Sequence, residues 1–280
     1  MARRDSKDLA NRVALTGFWI AALTTVFILG AVIVYVFVNG IGEISLEFIF
    51  TKPHGVNAEG GIWPMIVATL YVTGLAMLIV TPIAVLAAVY LAEYAVQGQL
   101  VRTIRFAADT LASVPSIVMG LFGLAFFVEA LKLEFSVLSG ALALSFLMLP
   151  IVMRTTEEAI RAVPKYIRWG SYGLGATKWQ TVSRIVLPSA APRIITGIIL
   201  ATGRAVGETA VVIFTMGTMI YTPVLPTDPG RSMTVHLYQM AMEGINLPAA
   251  FGTALLLMVM ILAFNLFARW LLRRNRRMQG

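Results

Sequence analysis

Arg204 and Glu208 are the only charged residues between Arg193 and Asp228. A guanidinium is a planar, permanently charged fork that holds an oxyanion through two parallel hydrogen bonds. A carboxylate repels the same anion but accepts a proton. Four residues apart on a helix, the two share a face within ion-pair reach. Each costs a few kcal/mol to bury at a bilayer centre, so a chain that keeps both has a use for them. Little else in the sequence carries chemistry. The 280 residues include no cysteine and 2 histidines, His54 and His236, both in links between apolar runs. Neither has acidic residues at ligand spacing, so both are expected at the surface and not on a metal. No His-Glu-x-x-His and no Gly-x-x-x-x-Gly-Lys-Ser/Thr string occurs. The expectation is no catalytic residue, no metal and no nucleotide site in this chain.

The element that must position the pair is a long apolar helix. If it begins near Ile194, Arg204 lies about 15 Å along it, close to the bilayer midplane. At about 100° per residue, Arg193, Gly197, Arg204, Gly207, Glu208, Thr215, Thr218 and Thr222 fall within about 60° of the direction of Arg204. Such a polar, small-residue stripe has two readings. Either Arg204, Glu208 and Thr215 line a translocation pathway, or the stripe is a structural ion pair with close helix packing.

The rest of the chain is built to surround such a helix with lipid. Hydrophobic residues make up 58% and charged residues only 13%, with a mean hydropathy of +0.82. Soluble domains carry about a quarter charged residues, which excludes a water-soluble globular enzyme. No Asp, Glu, Lys or Arg occurs in 13–42, 60–92, 110–128, 135–153, 209–227 or 244–268. Each run is long enough for a helix to cross about 30 Å of hydrocarbon. Six spans are predicted, at roughly 16–38, 62–92, 107–129, 135–153, 194–222 and 247–270. Pro82, Pro115 and Pro150 each remove a donor within or near an apolar run, so kinks or breaks are expected there.

The net charge of +8 does not imply nucleic acid, because the basic residues sit at the span ends. Along the chain the links carry 4, 1, 2, 1, 7, 1 and 5 Lys or Arg. This alternation predicts both termini in the cytoplasm. Thr16 to Val38 is longer than a signal-peptide core and is expected to remain as the first helix. The tail with Arg273, Arg274, Arg276 and Arg277 is expected to anchor on lipid headgroups. The links 39–61 and 223–246 read as external loops, the second punctuated by Asp228-Pro229-Gly230.

The link from Arg154 to Arg193 is far longer than a turn between neighbouring helices needs. It reads Pro164-Lys165-Tyr166-Ile167-Arg168-Trp169-Gly170-Ser171-Tyr172-Gly173-Leu174-Gly175-Ala176-Thr177, then runs on to Ile185-Val186-Leu187-Pro188. Pro164 opens a short helix, and Gly173 and Gly175 close it. Here the chain resembles the membrane subunits of ATP-binding-cassette importers, whose loop carries Glu-Ala-Ala, three residues, Gly, nine residues, Ile, one residue, Leu-Pro. Gly175, Ile185, Leu187 and Pro188 match that spacing. Trp169, Gly170 and Ser171 stand where the family has Glu-Ala-Ala, so its acidic contact is missing.

The resemblance implies an all-α, polytopic type I importer permease fold with six transmembrane helices and a cytoplasmic coupling helix. Ser171, Gly175, Ala176, Leu187 and Pro188 would serve ATPase coupling. The implied organisation is 1–59 for the N-terminus, first helix and external loop, 60–272 for the permease core with its coupling segment at about 164–188, and 273–280 for the basic tail. The strings Gly203-Arg204-Ala205-Val206-Gly207-Glu208-Thr209-Ala210, Gly60-Gly61-Ile62-Trp63-Pro64 and Pro226-Thr227-Asp228-Pro229 are similar to those of A-type phosphate importer permeases. That similarity implies a C-type sister permease as heterodimer partner, two ATP-binding subunits that hold the ATP and Mg, an external phosphate-binding protein and a bacterial inner-membrane location. Sulfate or molybdate permeases and a proton-coupled secondary transporter remain alternatives; the latter would have no use for the Gly175 to Pro188 segment.

Overall fold

The computed structural model describes residues 2–54 and 59–277, with side chains described at 11–54 and 60–270. Helices α1 (Ala2–Gly40), α2 (Leu46–Phe50) and α3 (Trp63–Val89) come first. They are followed by α4 (Gln99–Ser113), α5 (Ser116–Gly123) and α6 (Val137–Arg161). Next come α7 (Lys165–Gly173), α8 (Lys178–Thr181), α9 (Leu187–Val206), α10 (Ala210–Thr215), α11 (Met233–Met242) and α12 (Leu247–Arg277). The only strand pairing among the described residues joins Pro53 to Gly60 and His54 to Glu59.

Short polar residues start these helices where the first turn leaves free N–H groups. Ser45 caps α2, Ser136 caps α6 and Ser232 caps α11, each accepting a backbone N–H three residues on. At the centre, α3 packs along α6. Ala68, Val72, Ala76, Val80, Ala84 and Ala88 recur every fourth residue on α3 and are buried. This narrow face lets α6 approach until Ser145 Oγ donates to the Ala76 carbonyl at 3.0 Å. Small residues favour such close packing because lipid offers no hydrophobic drive between helices. By contrast, α1 meets the bundle at α12, where the Tyr35 ring edges onto Phe251 with centroids 5.6 Å apart. Its Phe18, Trp19 and Phe27 point outward.

Five helical stretches are long and apolar enough to span: Asn11–Glu43, Trp63–Tyr94, Val137–Arg161, Lys178–Val206 and Leu247–Trp270. A sixth is a bent pair, Gln99–Ser113 with Ser116–Ala130, turning by 100°. The break expected at Pro115 within the predicted span 107–129 is present, and the span starts earlier than the predicted bounds. Pro115 cannot donate to the preceding turn, and Val114 before it is extended, so the helix stops and restarts. Pro82 and Pro150, in contrast, sit inside continuous helices.

The predicted span 194–222 is corrected more deeply. The helix begins before Ile194, passes a π-helical turn at Val182–Val186, and ends at Val206. The π turn lies just ahead of Pro188, which lacks an N–H for the regular ladder. After the break at Gly207, α10 lasts six residues and the chain then continues without regular structure to Ser232. The stripe projected from Arg193 to Thr222 is thus not a continuous helical face. The side chains of the basic tail, and with them its expected lipid anchoring, lie outside the described residues.

Candidate functional site

The short helix read from the sequence is present, and its ends are built as expected. Pro164 occupies the N-cap of α7. At the other end, the Gly175 N–H donates to the Tyr172 carbonyl at 2.9 Å and the Ala176 N–H to that of Ser171 at 3.2 Å. These two bonds close a Schellman turn, which places Gly175 at φ +82°. A Cβ at Gly175 would meet no atom within 4 Å. Its requirement for glycine is therefore conformational, not one of space within this chain. Thr177 and Gln180 form a reciprocal capping box that starts α8.

The residues singled out for coupling fall into two groups. Ser171 is buried, its Oγ 2.8 Å from Thr181 Oγ1, and so ties α7 to α8. Leu187 is half-buried against the cluster of Val89, Ile160, Val182 and Val186. These two brace the segment from inside, while Gly175 and Pro188 stand exposed and Ala176 half-buried. The outward surface is made instead by Tyr166, Trp169, Tyr172, Leu174 and Trp179. Leu174 is 90% exposed, which suits a surface that a partner covers.

One buried ion pair fixes this segment to the bundle, and a second group ties α4 to α6 beside it. Apart from the spacing of four residues between Glu157 and Arg161, neither has a local sign in the sequence. Arg168 of α7 donates from Nε and Nη2 to Glu93 Oε1 at 3.0 and 2.6 Å. It also donates to the carbonyls of Val163 at 2.7 Å and Ile160 at 2.9 Å. Glu93 sits in the π-helical turn Tyr90–Tyr94 that ends the second span. The ion pair therefore joins α7 to two spans at once. Beside it, Glu157 lies between Arg105 of α4 and Arg161, each with a nitrogen 2.8 Å from Oε1. Arg168 and Glu93 are 75 residues apart, so no helical spacing could pair them. The one available signal was that Glu93 ends the charge-free run 60–92.

Arg204 and Glu208 do not form the expected ion pair. Arg204 occupies the last turn of α9, is exposed, and makes no side-chain hydrogen bond or ion pair among the described residues. Glu208 Oε1 instead accepts the Ala210 N–H at 3.2 Å and lies 3.5 Å from the Val211 nitrogen. The helix break separates the two charges and gives each a helix end of opposite sign, which favours both. Thr234 of α11 holds the break by donating to the Glu208 carbonyl at 2.9 Å. Thr215 is fully buried, bonded to the Val211 carbonyl at 2.7 Å. Its Cγ2 lies where a Cβ on Gly123 would be, so it packs against the neck of α5 and not on a face shared with Arg204. Next to the break, an apolar cavity of about 500 Å³ opens between α5, α10 and α11, lined by Thr209, Phe214, Thr234 and Tyr238 among others.

His54 is exposed, as expected, but His236 is not. It is fully buried in α11, outside the membrane-length helices, with Nδ1 3.4 Å from Arg231 Nη1. Burial first, and then the Arg231 charge, pull its pKa down to about 4. Glu243 is the further charge acting on Arg231. The folded state thus refuses a proton that the unfolded chain takes near pH 6.5. Stability contributed here is complete above that value and is lost as pH falls toward about 4. Between pH 7 and pH 5 the loss should reach about 2 kcal/mol, seen as a lower unfolding midpoint of the solubilised protein. His236→Gln should flatten that dependence; an unchanged slope would exclude His236 as its source.

A bundle of membrane-length helices with an internally braced, outwardly aromatic helix at one end is the architecture of the membrane subunit of a type I ATP-binding-cassette importer. The fold is similar to a chain of a bacterial alginate ABC transporter solved with an alginate pentasaccharide-bound periplasmic protein, at 17% identity, TM-score 0.69 and 96% coverage of each chain. It is also similar to a chain of the inward-facing MetNI methionine ABC transporter, at 19% identity, TM-score 0.61, covering 76% of this chain and 94% of that one.

Residues 81–277 match the family described as binding-protein-dependent transport system inner membrane component, and the chain belongs to that family. It is a transport subunit, not an enzyme. It is 36% identical to the probable ABC transporter permease protein YqgI of Bacillus subtilis, covering 95% of this chain and 96% of the relative. It is 34% identical to the phosphate transport system permease protein PstA of Pasteurella multocida, covering 94% of each. A third relative, PstA 1 of Mycobacterium tuberculosis strain H37Rv, is 34% identical over 99% of this chain and 92% of its own.

Proposed function

We propose that this chain is the A-type permease subunit of an ATP-driven importer for inorganic phosphate. The observation that carries the reading is the end-to-end similarity to permeases named for phosphate transport, including the Pasteurella multocida protein at 34% identity. The Thr209-Ala210 continuation after Gly207-Glu208, which stands at the helix break, agrees with it. In this reading a C-type sister permease supplies the other half of the pathway. Two ATPase copies bind ATP and Mg, one of them seating on the Tyr166, Trp169 and Leu174 surface and the other on the sister permease, and an external binding protein delivers phosphate. Arg204, charged and without a partner among the described residues at the end of α9, receives the anion in transit. Deleting the gene should abolish phosphate uptake and leave sulfate and molybdate uptake intact. Loss of sulfate or molybdate uptake instead would assign a different oxyanion.

The basic-residue series supports an orientation with both termini and α7 in the cytoplasm. Since the chain lacks cysteine, single cysteines label without background. An impermeant maleimide added outside intact cells should modify Asp228→Cys and spare Thr177→Cys. The reverse pattern would invert the topology.

A further inference from the structure

Between α10 and α11 the chain runs through 216–232 without regular structure. Ordered links of such length are uncommon in compact folds and usually carry function. We propose that this stretch is an external strap, latched by two backbone hydrogen bonds to the first turn of α6, and that its release from α6 is a required step of transport. The inference rests on the importer reading and the orientation proposed above, and adds which part of this chain moves and what holds it.

The strap is closed on itself as an Ω-loop. The Gly230 N–H donates to the Met216 carbonyl at 3.3 Å, and Arg231 Nε donates to that of Thr218 at 2.8 Å. Inside the loop, Asp228 Oδ2 accepts the N–H groups of Val224 and Leu225, each at 2.8 Å. A loop whose ends meet and whose interior is bonded moves as one piece. The other side of the latch is held independently. Lys132 and Glu134 take φ +55° and +54°, a left-handed conformation that residues other than glycine rarely adopt. Such a conformation persists only where its surroundings fix it. Here Ser136 Oγ donates to the Leu133 carbonyl at 3.0 Å and Ser139 Oγ to that of Glu134 at 2.8 Å. Helix α6 therefore starts from a fixed turn, and the strap is the part free to leave.

The two pieces meet at N–H groups that a helix cannot satisfy for itself. Val137 donates its N–H to the Asp228 carbonyl at 2.9 Å, and Leu138 to the Pro226 carbonyl at 2.7 Å. Beside these bonds a cavity of about 600 Å³ opens between Glu134 and Phe135 on one wall and Gly217, Met219, Thr227 and Pro229 on the other. The strap is thus bonded to α6 there without being packed against it. Pro226 and Thr227 are exposed, so water can take over both N–H groups once the strap lifts. The tip, with Tyr221, Val224 and Leu225, is exposed as well, and a protein arriving from outside meets it first. Both ends of the strap lead to the helix break beyond Arg204. At one end the Thr215 carbonyl of α10 accepts the Ser136 N–H at 3.2 Å, and at the other Thr234 of α11 holds the Glu208 carbonyl. Lifting the strap therefore loads that break from two sides.

The test fixes the latch reversibly. Because the chain has no cysteine, Leu138→Cys with Pro226→Cys makes the only pair in it. Their backbone hydrogen bond brings the two residues close enough for a disulfide, or for a short bis-methanethiosulfonate reagent where the side-chain angles do not suit one. The complete importer is reconstituted in proteoliposomes with its external binding protein, and phosphate uptake and binding-protein-stimulated ATP hydrolysis are measured before and after cross-linking. Cross-linking should lower both at least about tenfold, reductant should restore both, and each single-cysteine variant should stay within about threefold of the parental rate. Should the first pair fail to assemble, Glu134→Cys with Thr227→Cys, exposed on facing walls of the cavity, is bridged by the same reagent and decides. Full uptake and stimulation by the cross-linked protein, or no cross-link at either pair, overturns the inference. Normal phosphate uptake by the reduced protein alongside such a result leaves the proposed function standing. Hydrolysis that stops on cross-linking and returns with reductant, in a complex that carries no phosphate even when reduced, would keep the strap and overturn the phosphate reading.

Discussion

Arg204→Ala should lower phosphate uptake about a hundredfold while the complex still assembles. The guanidinium is exposed and bonded to nothing among the described residues, so its removal leaves no buried partner behind and should cost little stability. On the proposed reading it would remove a bidentate, charge-assisted contact to an oxyanion, with hydrogen bonds to charged groups contributing about 1.5–3 kcal/mol each. A loss near 3 kcal/mol corresponds to about a hundredfold. Arg204→Lys keeps the charge but not the fork and should fall between, at about tenfold. Glu208→Gln serves as the contrast. Its amide oxygen can take the Ala210 N–H that the carboxylate takes now, so the cap persists and uptake should stay within about threefold. Uptake by Arg204→Ala at the parental rate would remove Arg204 from the pathway. A collapse with Glu208→Gln would mean that the carboxylate charge is used in transport and not only in capping α10.

Breaking Arg168–Glu93 should uncouple ATP hydrolysis from transport. Both side chains are largely buried, 14% and 8% exposed, and removing one partner of such a pair costs about 3–5 kcal/mol because the other charge stays behind. The cost falls on the joint between α7 and the second span, while the outward surface of Tyr166 and Trp169 on α7 and Leu174 at its C-cap stays in place. Reconstituted Glu93→Gln complexes should therefore hydrolyse ATP at near the parental rate and import at least about tenfold less phosphate per ATP. Combining Arg168→Glu with Glu93→Arg should recover part of the ratio, since the Val163 and Ile160 carbonyls lose their donor in the exchange. A proportional fall of hydrolysis and uptake would show that the pair supports docking or folding and does not transmit motion.

The sequence alone determined the features whose cause is local. A charge-free run such as 60–92 must be a membrane helix, because no other structure hides that many backbone groups from lipid. Pro164 and Gly175 bound α7 by their own φ preferences, and the structure places its helix between them. The residues matching the importer pattern were legible for the same reason, being close in the chain.

Only the tertiary structure decided which charges meet. Helical spacing put Arg204 beside Glu208, yet a helix end at Val206 and the Thr234 bond to the Glu208 carbonyl pull the two apart. Spacing gave nothing for Arg168 and Glu93, which pair because three helices converge at one end of the bundle. His236 looked like a loop residue, and α11 folds it into the interior. Thr215 was moved from a supposed pathway into the packing of α5 and α6. In each case the deciding energy came from burial and long-range hydrogen bonding, which depend on where distant segments lie. Periodicity along one helix reports the direction of a side chain but not what the fold brings to meet it.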